Sequence, residues 1–316
     1  MYTFIIAEND AGQRADKFLL KACPKLPKSL LYKTFRKKDV KCNGKRIPAE
    51  TFLAAGDTVQ VYLPDEFFVS VKKPIAPIHL EEPEIIYEDD HILLMRKPVN
   101  LPAHADNQGS SDTLQARFLQ YLAKSGAYVP EQEQSFTPAL CNRLDRNTEG
   151  FVIGAKTAAA LRCVNEMIRE NQVVKQYFCV TAGLPPKRHD IVTAYHRRIE
   201  GKNAEISNQP RMGFRMMRTE YEVLQKHENL ALLLVTLHTG RTHQIRLQTA
   251  ALGAPVLGDH RYGKPDVNRK YGEAHQLLAA CRLRFDVPPE GHLLSALYDR
   301  CFAYTPSFCS KYGFDI

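Results

Sequence analysis

The stretch NRLDRNTEG, residues 142–150, is the most informative part of the chain. It places Asp145 between Arg143 and Arg146 and closes with Gly150. Two nearby positive charges favour the ionised form of a carboxyl group. Such a carboxylate is either a structural ion-pair partner or a nucleophile or base that awaits a substrate. This stretch alone favours the structural interpretation, because ion-pair networks perturb carboxylates as often as active sites do.

The composition is that of a soluble globular protein. The chain has 316 residues, of which 44% are hydrophobic and 25% charged, and its length suits about two domains. It opens without a basic leader and apolar segment, and its longest apolar run, residues 230–235, is far too short to cross a bilayer. The cysteines form no Cys-x-x-Cys pair and have no partner histidines at zinc spacing. We therefore expect a cytoplasmic protein with no membrane segment and no bound metal.

The net charge of +8 is unevenly distributed along the chain. Residues 1–63 contain twelve Lys and Arg but six Asp and Glu. A small basic region at one end indicates a polyanionic partner, most simply nucleic acid. A basic surface that serves solubility alone is the alternative, and charge does not distinguish the two.

Residues 1–63 are predicted to form a small α/β domain. An amphipathic helix is predicted after Gly12, and a second helix near Ser29, a residue suited to an N-cap. Residues 40–47 are typical of a hairpin with Asn-Gly at its turn. Residues 58–63 alternate as a strand does.

Residues 64–83 contain four prolines and little periodicity, which is typical of a linker. The remaining residues, 84–316, are predicted to form a larger α+β domain, because strands and helices follow each other without a regular βαβ rhythm. Residues 183–215 are basic and are expected to be rich in loops. Predicted strands cover residues 85–87, 92–95, 151–153, 177–182 and 230–237, and a helix is predicted from Thr157.

Four ordered motifs resemble those of the RluA-like pseudouridine synthases, enzymes that isomerise uridine within RNA. Residues 142–150 resemble the signature around that family's catalytic aspartate. The other three are a strand with a Lys-Pro turn at residues 88–98, a Lys-x-Tyr strand at residues 175–177 and the Arg-Thr-His-Gln-Ile-Arg motif at residues 241–246. Residues 12–63 are similar to a small RNA-binding domain first seen in a small-subunit ribosomal protein. Together these resemblances span nearly the whole chain.

The resemblance implies the pseudouridine synthase fold, with a central mixed, mostly antiparallel sheet and a catalytic cleft. It implies that Asp145 is the catalytic carboxylate, that Arg246 pairs with it and that Tyr177 stacks on the target uracil. It also implies that Arg143 fills the space that the uridine vacates in the RNA. Whether Asp145 attacks the sugar, attacks the base or removes a ribose proton is left open. Isomerisation oxidises nothing and loses no group, so no cofactor is expected.

The small domain is expected to supply affinity for RNA by contacting phosphates, which position RNA without reading its sequence. The expected partner is RNA, with ribosomal RNA of the large subunit placed first, and the expected form is a monomer. The candidate RNA-binding residues of this domain are Arg14, Lys28, Lys33, Arg36, Lys37, Lys38, Lys45 and Arg46.

The chain departs from the family pattern at several positions. The family usually has His where Asn142 stands, Gly where Asn100 stands, and Asp-Thr-Ser-Gly where residues 147–150 stand. None of these changes removes Asp145, its neighbouring arginines or Tyr177. These changes affect the prediction of the substrate RNA, whereas the predicted reaction is unchanged.

Three alternatives differ in substrate or class. The first is the same chemistry on transfer RNA. The second is a non-catalytic, ribosome-associated RNA-binding protein, which would have no need of Asp145 and its distant partners. The third is a glycosidic-bond hydrolase, but such enzymes generally require two carboxylates, and no second acid stands beside Asp145 in the motif.

Overall fold

The computed structural model of the chain describes residues 1–68, 80–105, 109–197, 199 and 204–316. Residues 1–68, called here the N-terminal lobe, form a four-stranded antiparallel sheet in the order β1-β4-β2-β3. The helices and the sheet share one apolar core, in which Phe18, Leu19 and Val59 are fully buried. Its elements are β1 (Tyr2–Ile5), α1 (Ala15–Ala22), α2 (Lys28–Arg36), β2 (Val40–Cys42), β3 (Lys45–Arg46) and β4 (Thr58–Val61).

Turn and cap residues of this lobe test the local predictions. Asn43 and Gly44 join β2 to β3 with φ values of 51° and 76°, the positive values that an Asn-Gly turn requires. The prediction of Ser29 as an N-cap is wrong, because α2 begins at Lys28 and the N-cap position is Pro27. Pro27 has an extended backbone, with φ −61° and ψ 138°, as the residue before a helix typically does.

Residues 80–316, called here the C-terminal lobe, are built around one large sheet. Its strands are β5 (Glu84–Glu88), β6 (Ile92–Lys97), β7 (Ala139–Leu140), β8 (Glu149–Ala155), β9 (Val173–Ala182), β10 (His189–Arg197), β11 (Glu205–Ser207), β12 (Arg215–His227), β13 (Leu230–Leu237), β14 (Leu278–Phe285) and β15 (Cys301–Ala303). Its helices are α3 (Leu114–Lys124), α4 (Ala158–Arg169), α5 (Gln244–Ala251), α6 (Pro265–Tyr271) and α7 (Ser307–Lys311).

The sheet is mixed but mostly antiparallel, which confirms the predicted fold class. Its order is β11-β10-β12-β13-β9-β14-β8-β6-β5, with β15 beside β14 and β7 beside β8. Among the described strands, β8 and β14 form the parallel pair and the other neighbours are antiparallel. No helix within the described ranges has both the length and the apolar character needed to cross a membrane.

Helices cover both faces of the central strands. In β6, Leu93 and Met95 face a core that contains Phe118 of α3, whereas Ile92 and Leu94 face a second core with α4. A strand buried on both faces has a continuous apolar run without alternation. This is why such runs predicted the central strands correctly.

Gly150 fixes the close approach of β8 to β14. Its φ is 124°, and a Cβ atom built there would lie 2.2 Å from the carbonyl oxygen of Ala280. A side chain at this position would therefore push the two strands apart. The glycine that closes the Asp145 stretch is needed where that stretch enters the sheet.

The predicted linker, residues 64–83, is packed at both ends. Phe68 lies partly buried against the N-terminal core, and Glu81 pairs with Arg117 of α3 at 2.7 Å. Residues 69–79 lie outside the described residues. The ends of this segment therefore belong to the two lobes that it connects.

The prediction that residues 183–215 are rich in loops missed the strands that lie among those loops. Strands β10 and β11 lie there, and β12 begins at Arg215. The strand character of β10 is hidden because its outer face is exposed and holds Ile191 as well as polar residues. Apolar and polar residues consequently do not alternate cleanly along it.

Candidate active site

A short loop between β7 and β8 carries Asp145. The Asn142 side chain fastens this loop to β8: its Nδ2 donates to the Phe151 carbonyl at 3.2 Å, and its Oδ1 accepts from the Ile153 N–H at 2.8 Å. The Thr148 N–H donates to the Asp145 carbonyl at 3.0 Å, which closes a turn around the carboxylate. The backbone position of Asp145 is thus fixed by the sheet.

Lys97, at the end of β6, supports the same loop from beneath. Its side chain is fully buried, and its Nζ donates to the carbonyl oxygens of Pro98, Leu101 and Arg146 at 2.8, 2.8 and 2.9 Å. Burial lowers the pKa of Lys97 to about 7, although the negative charges of Asp145 and Glu149 oppose this. One amino group therefore ties the Lys-Pro turn to the Asp145 loop.

Arg246 of α5 brings two carboxylates together. Its Nη1 donates to Asp145 Oδ2 at 2.8 Å, while its Nε and Nη2 form a bidentate pair with Asp259 at 2.7 and 3.0 Å. The planar guanidinium suits this fork, and its orientation is set by the bidentate partner. The sequence predicted the pairing of Asp145 with Arg246 by resemblance, and the two residues lie 101 positions apart in the chain.

The electrostatics of the Arg246–Asp259 pair favour the ionised form of both groups. Burial opposes the ionised form of Asp259, but hydrogen bonds and charge from Arg246 outweigh it and hold the pKa of Asp259 below its usual value. Burial likewise opposes the charge of Arg246, and the two carboxylates raise its pKa. Asp259 is fully buried and also accepts from the N–H groups of Arg261 and Tyr262. Asp145 remains about a quarter exposed, with 24% of its side chain accessible.

His243 lies at the N-terminus of α5 with a left-handed backbone, φ 54°. Its Nδ1 and the hydroxyl of Tyr262 are 2.9 Å apart, and its Nε2 is 3.8 Å from Asp145 Oδ2. Burial lowers the pKa of His243, and the charge of Asp145 opposes this shift in part. The contact with Tyr262 gives this histidine a structural hydrogen bond.

A cavity of about 310 Å³ opens beside Asp145. Tyr177 of β9, Leu278 of β14 and Arg246 of α5 are among the residues that line it. The ring of Tyr177 is largely buried, and burial together with the charge of Asp145 raises its pKa. The structure therefore brings the three predicted catalytic residues to one concave site.

A second cavity of about 600 Å³ lies on another side of Asp145. Arg143, Leu144 and His243 line both cavities. Further basic or polar residues of the second cavity are His104, Arg146, Asn147 and Arg261. The exposed Arg143 lies between the two spaces, so it is close to Asp145 without being paired with it by any described ion pair.

The predicted RNA-binding residues of the N-terminal lobe divide into two groups. Arg14 is held by the buried carboxylate of Asp16, with hydrogen bonds of 3.1 and 2.9 Å, and by Glu50 at 3.3 Å. It is thus engaged within its own lobe, which its charge in the sequence did not predict. The seven others are exposed: Lys28, Lys33, Arg36, Lys37, Lys38, Lys45 and Arg46.

The departures from the family pattern occupy defined places. Asn100 has φ 64°, a left-handed conformation that glycine adopts freely and asparagine tolerates. Asn142 binds the backbone of β8 through both atoms of its amide. Asn147 lines the second cavity, and its Oδ1 is buried without a hydrogen-bond partner among the described residues.

Sequence reasoning assigned no role to Asp259, Lys97 or Tyr262. Asp259 follows Leu257 and Gly258; a lone acidic residue in this apolar stretch is unusual, but it does not indicate the partner. Tyr262 places its ring 5.3 Å from the guanidinium carbon of Arg246. Within the described ranges, no group of three or more His, Cys, Asp or Glu side chains is placed to hold a metal ion.

The chain is similar to several known proteins. A family model described as RNA pseudouridylate synthase matches residues 91–251, which include Asp145, Tyr177 and Arg246. The ribosomal large subunit pseudouridine synthase C of Vibrio parahaemolyticus is 32% identical over 292 residues, covering 90% of this chain and 88% of the relative. The protein of the same name from Escherichia coli is 31% identical over 312 residues, covering 92% and 90%. The solved structure of human RNA pseudouridylate synthase domain containing 4 has the same fold, with a TM-score of 0.55, 24% identity and coverage of 71% and 89%.

Proposed function

The chain belongs to the RNA pseudouridylate synthase family, and on that basis we propose that it isomerises uridines of large-subunit ribosomal RNA to pseudouridine. The names of the relatives from Vibrio parahaemolyticus and Escherichia coli favour ribosomal RNA over transfer RNA as the substrate. The observation that carries the proposal is the ion pair of Asp145 with Arg246 in the lining of a cavity that Tyr177 also lines.

The reaction breaks the bond between the sugar and N1 of uracil, turns the base and joins the sugar to C5. N1 gains a proton and C5 loses one, so atoms and electrons balance without a cofactor. We assign the essential charge to Asp145, which Arg246 orients. The cavity gives the detached base a space in which to turn while it stays beside Asp145.

Tyr177 is proposed to stack on the uracil. Its ring supplies a flat apolar face, and unstacked bases in RNA are commonly held in this way. A uridine in a folded RNA must first leave its own stack, at a cost of a few kcal/mol. Arg143, exposed at the boundary of both cavities, is proposed to occupy the space that the base leaves.

Residues 1–63 are proposed to act as an RNA-binding domain and residues 84–316 as the catalytic domain. The exposed lysines and arginines of α2 and of the β2–β3 hairpin would contact phosphates. We further propose that the protein acts in the cytoplasm as a monomer.

The test is the Asp145→Asn variant, which keeps size and hydrogen bonding but loses the charge. Its kcat for release of tritium from RNA labelled at uridine C5 should fall by about two to four orders of magnitude, and RNA affinity should be retained. Asp266→Asn, at an exposed position of α6, is the matched control. Turnover within about tenfold of wild type would contradict the assignment of Asp145, and tritium release from transfer RNA but not from ribosomal RNA would contradict the substrate.

A further inference from the structure

Polar contacts fasten the N-terminal lobe to the C-terminal lobe. On one side lie β1 and the 3₁₀ turn Glu8–Asp10, and on the other lie the loop before β7 and the start of α4. We call this contact the lobe interface. Its hydrogen-bonding residues are Ile5, Asn9, Asp10 and Gln13 in the N-terminal lobe and Glu133, Gln134, Ser135 and Ala158 in the C-terminal lobe.

Asn9 completes the N-terminus of α4 from the other lobe. Its Oδ1 accepts from the Ala158 N–H at 3.1 Å, and its Nδ2 donates to Glu133 Oε1 at 2.7 Å. Within α4 itself, Thr157 Oγ1 accepts from the Ala160 N–H at 3.1 Å. The first N–H groups of a helix have no partner inside the helix, so α4 depends on the N-terminal lobe for one of its caps.

Ser135 is the counterpart of Asn9 on the opposite side of the interface. Its N–H donates to Asp10 Oδ1 at 3.1 Å, and its hydroxyl donates to the same oxygen. Gln13 Nε2 donates to the Ser135 hydroxyl at 2.9 Å. Asp10 is fully buried. Its Oδ1 accepts both hydrogen bonds from Ser135, whereas its Oδ2 is buried without a hydrogen-bond partner among the described residues. The contacts at Oδ1 join the two lobes at this point.

Helix α4 connects the lobe interface with the cavity beside Asp145. Its first residue, Ala158, contacts Asn9, whereas Ile168 near its end and Asn171 beyond it line the cavity. A helix of this length spans about 18 Å at 1.5 Å per residue. The N-terminal lobe is therefore fixed at one end of a rigid element whose other end borders the catalytic site.

We propose that the lobe interface sets the distance between the RNA that the N-terminal lobe holds and the uridine that enters the cavity, so that Asn9, Asp10 and Ser135 are positioning residues for site selection. This inference rests on the function proposed above. The basic surface of the lobe binds phosphates without reading sequence, so it selects a uridine only if its position relative to the cavity is fixed. The polar interface provides that fixed position.

The test compares a double variant, Asn9→Ala with Ser135→Ala, with wild type on two RNAs. One RNA is a long ribosomal fragment with helices flanking the target stem, and the other is the target stem-loop alone. For the long fragment, kcat/KM should fall about tenfold or the modification should spread to neighbouring uridines. For the stem-loop, kcat/KM should stay within about twofold of wild type. The radius of gyration of the free protein, measured by X-ray scattering, should rise.

Two further variants make the result specific. Asn229→Ala with Ser310→Ala repeats the same chemical changes at exposed positions away from the interface and should match wild type. Ser135→Thr keeps the hydroxyl and should also match it. The inference is overturned if the double variant modifies the long fragment at the same site with unchanged kcat/KM, or if both RNAs lose activity equally. If the wild type itself makes no pseudouridine in either RNA, the proposed function fails. An unchanged radius of gyration in the double variant shows, independently of activity, that these contacts do not hold the lobes together.

Discussion

The bidentate contact of Asp259 with Arg246 gives a quantitative test of how the carboxylate of Asp145 is held. In the Asp259→Asn variant one carboxylate oxygen is replaced by an amide NH2 group. The amide oxygen can still accept from the N–H groups of Arg261 and Tyr262, as Asp259 Oδ1 does now. The NH2 group then faces Arg246 Nε, which is itself a donor, so a hydrogen bond becomes a contact between two donors.

The expected loss of stability follows from these contacts. Hydrogen bonds to charged groups contribute about 1.5–3 kcal/mol each. Breaking a buried ion pair costs about 3–5 kcal/mol when the remaining charge has no other partner. Here Arg246 keeps Asp145 at 2.8 Å, so we expect the free energy of unfolding to fall by about 2–4 kcal/mol.

The loss of kcat in Asp259→Asn should be larger than the loss of stability alone would cause. Asp259 orients Arg246, and Arg246 orients Asp145. The variant should therefore displace Asp145, to which we assign the essential charge, without changing a residue proposed to contact the substrate. A displacement of about 1 Å can lower a rate about 100-fold. We expect kcat for tritium release to fall by between about 10-fold and 100-fold, with KM within about threefold of wild type.

The stability difference should also depend on pH. The pKa of Asp259 is depressed in the folded protein. The stability that it contributes is therefore present above the unfolded value of about 3.9 and is lost as pH falls through the folded value. Urea denaturation should show a full difference between wild type and Asp259→Asn at pH 7 and a shrinking one below about pH 4. The surface variant Asp266→Asn controls for the loss of one carboxylate.

Two outcomes would refute this account of Asp259. If Asp259→Asn unfolds within about 0.5 kcal/mol of wild type at pH 7 and turns over within about twofold, Arg246 is held by something other than Asp259. A large rise in KM with unchanged kcat would also contradict it, because that pattern indicates weakened substrate binding.

Three further predictions concern other parts of the protein. Tyr177→Phe should keep most RNA affinity, and Tyr177→Leu should lose about 1–3 kcal/mol of binding in a titration; equal affinity of all three forms would reject stacking. Lys97→Met should lower the free energy of unfolding by about 2–4 kcal/mol at pH 8. The pKa of Lys97 in the folded protein, about 7, lies below that in the unfolded protein, so the difference in stability between wild type and variant in urea denaturation should grow as pH rises above 7. A difference that is constant with pH would contradict this. Lys33→Gln with Lys37→Gln should reduce the slope of log Kd against log salt by about 0.7–0.9 for each phosphate that the variant no longer neutralises, and an unchanged slope would place RNA binding elsewhere.

The sequence predicted the central part of the fold well, for a physical reason. β6, β8, β9 and β13 are apolar over several consecutive residues because helices or neighbouring elements cover both faces of the sheet. Such runs are visible without knowledge of pairing. The order of the strands is not visible in this way, since β14 lies between β9 and β8 although it comes more than 90 residues after β9 along the chain.

The candidate site was predictable only in part. Asp145 and its loop are contiguous in sequence, so a single motif identified them. The trio of Asp145, Arg246 and Asp259 is assembled from three separate segments, and nothing in the spacing of Asp259 indicates that it binds Arg246. The strand β10 was missed because its exposed face mixes apolar and polar residues.

The departures at Asn142 and Asn100 show which physical requirements the Asp145 loop imposes. At position 142 the side chain must donate to Phe151 and accept from Ile153 at once, and an asparagine amide offers both groups. A neutral histidine ring also has one donor and one acceptor nitrogen, so the histidine usual in the family could satisfy the same two backbone groups. At position 100 the requirement is a left-handed backbone, which asparagine meets at small cost. Asn147 is different, because it lines the second cavity and its buried oxygen has no hydrogen-bond partner among the described residues. Asn142 and Asn100 therefore preserve the backbone around Asp145, whereas Asn147 changes the surface that the RNA would meet.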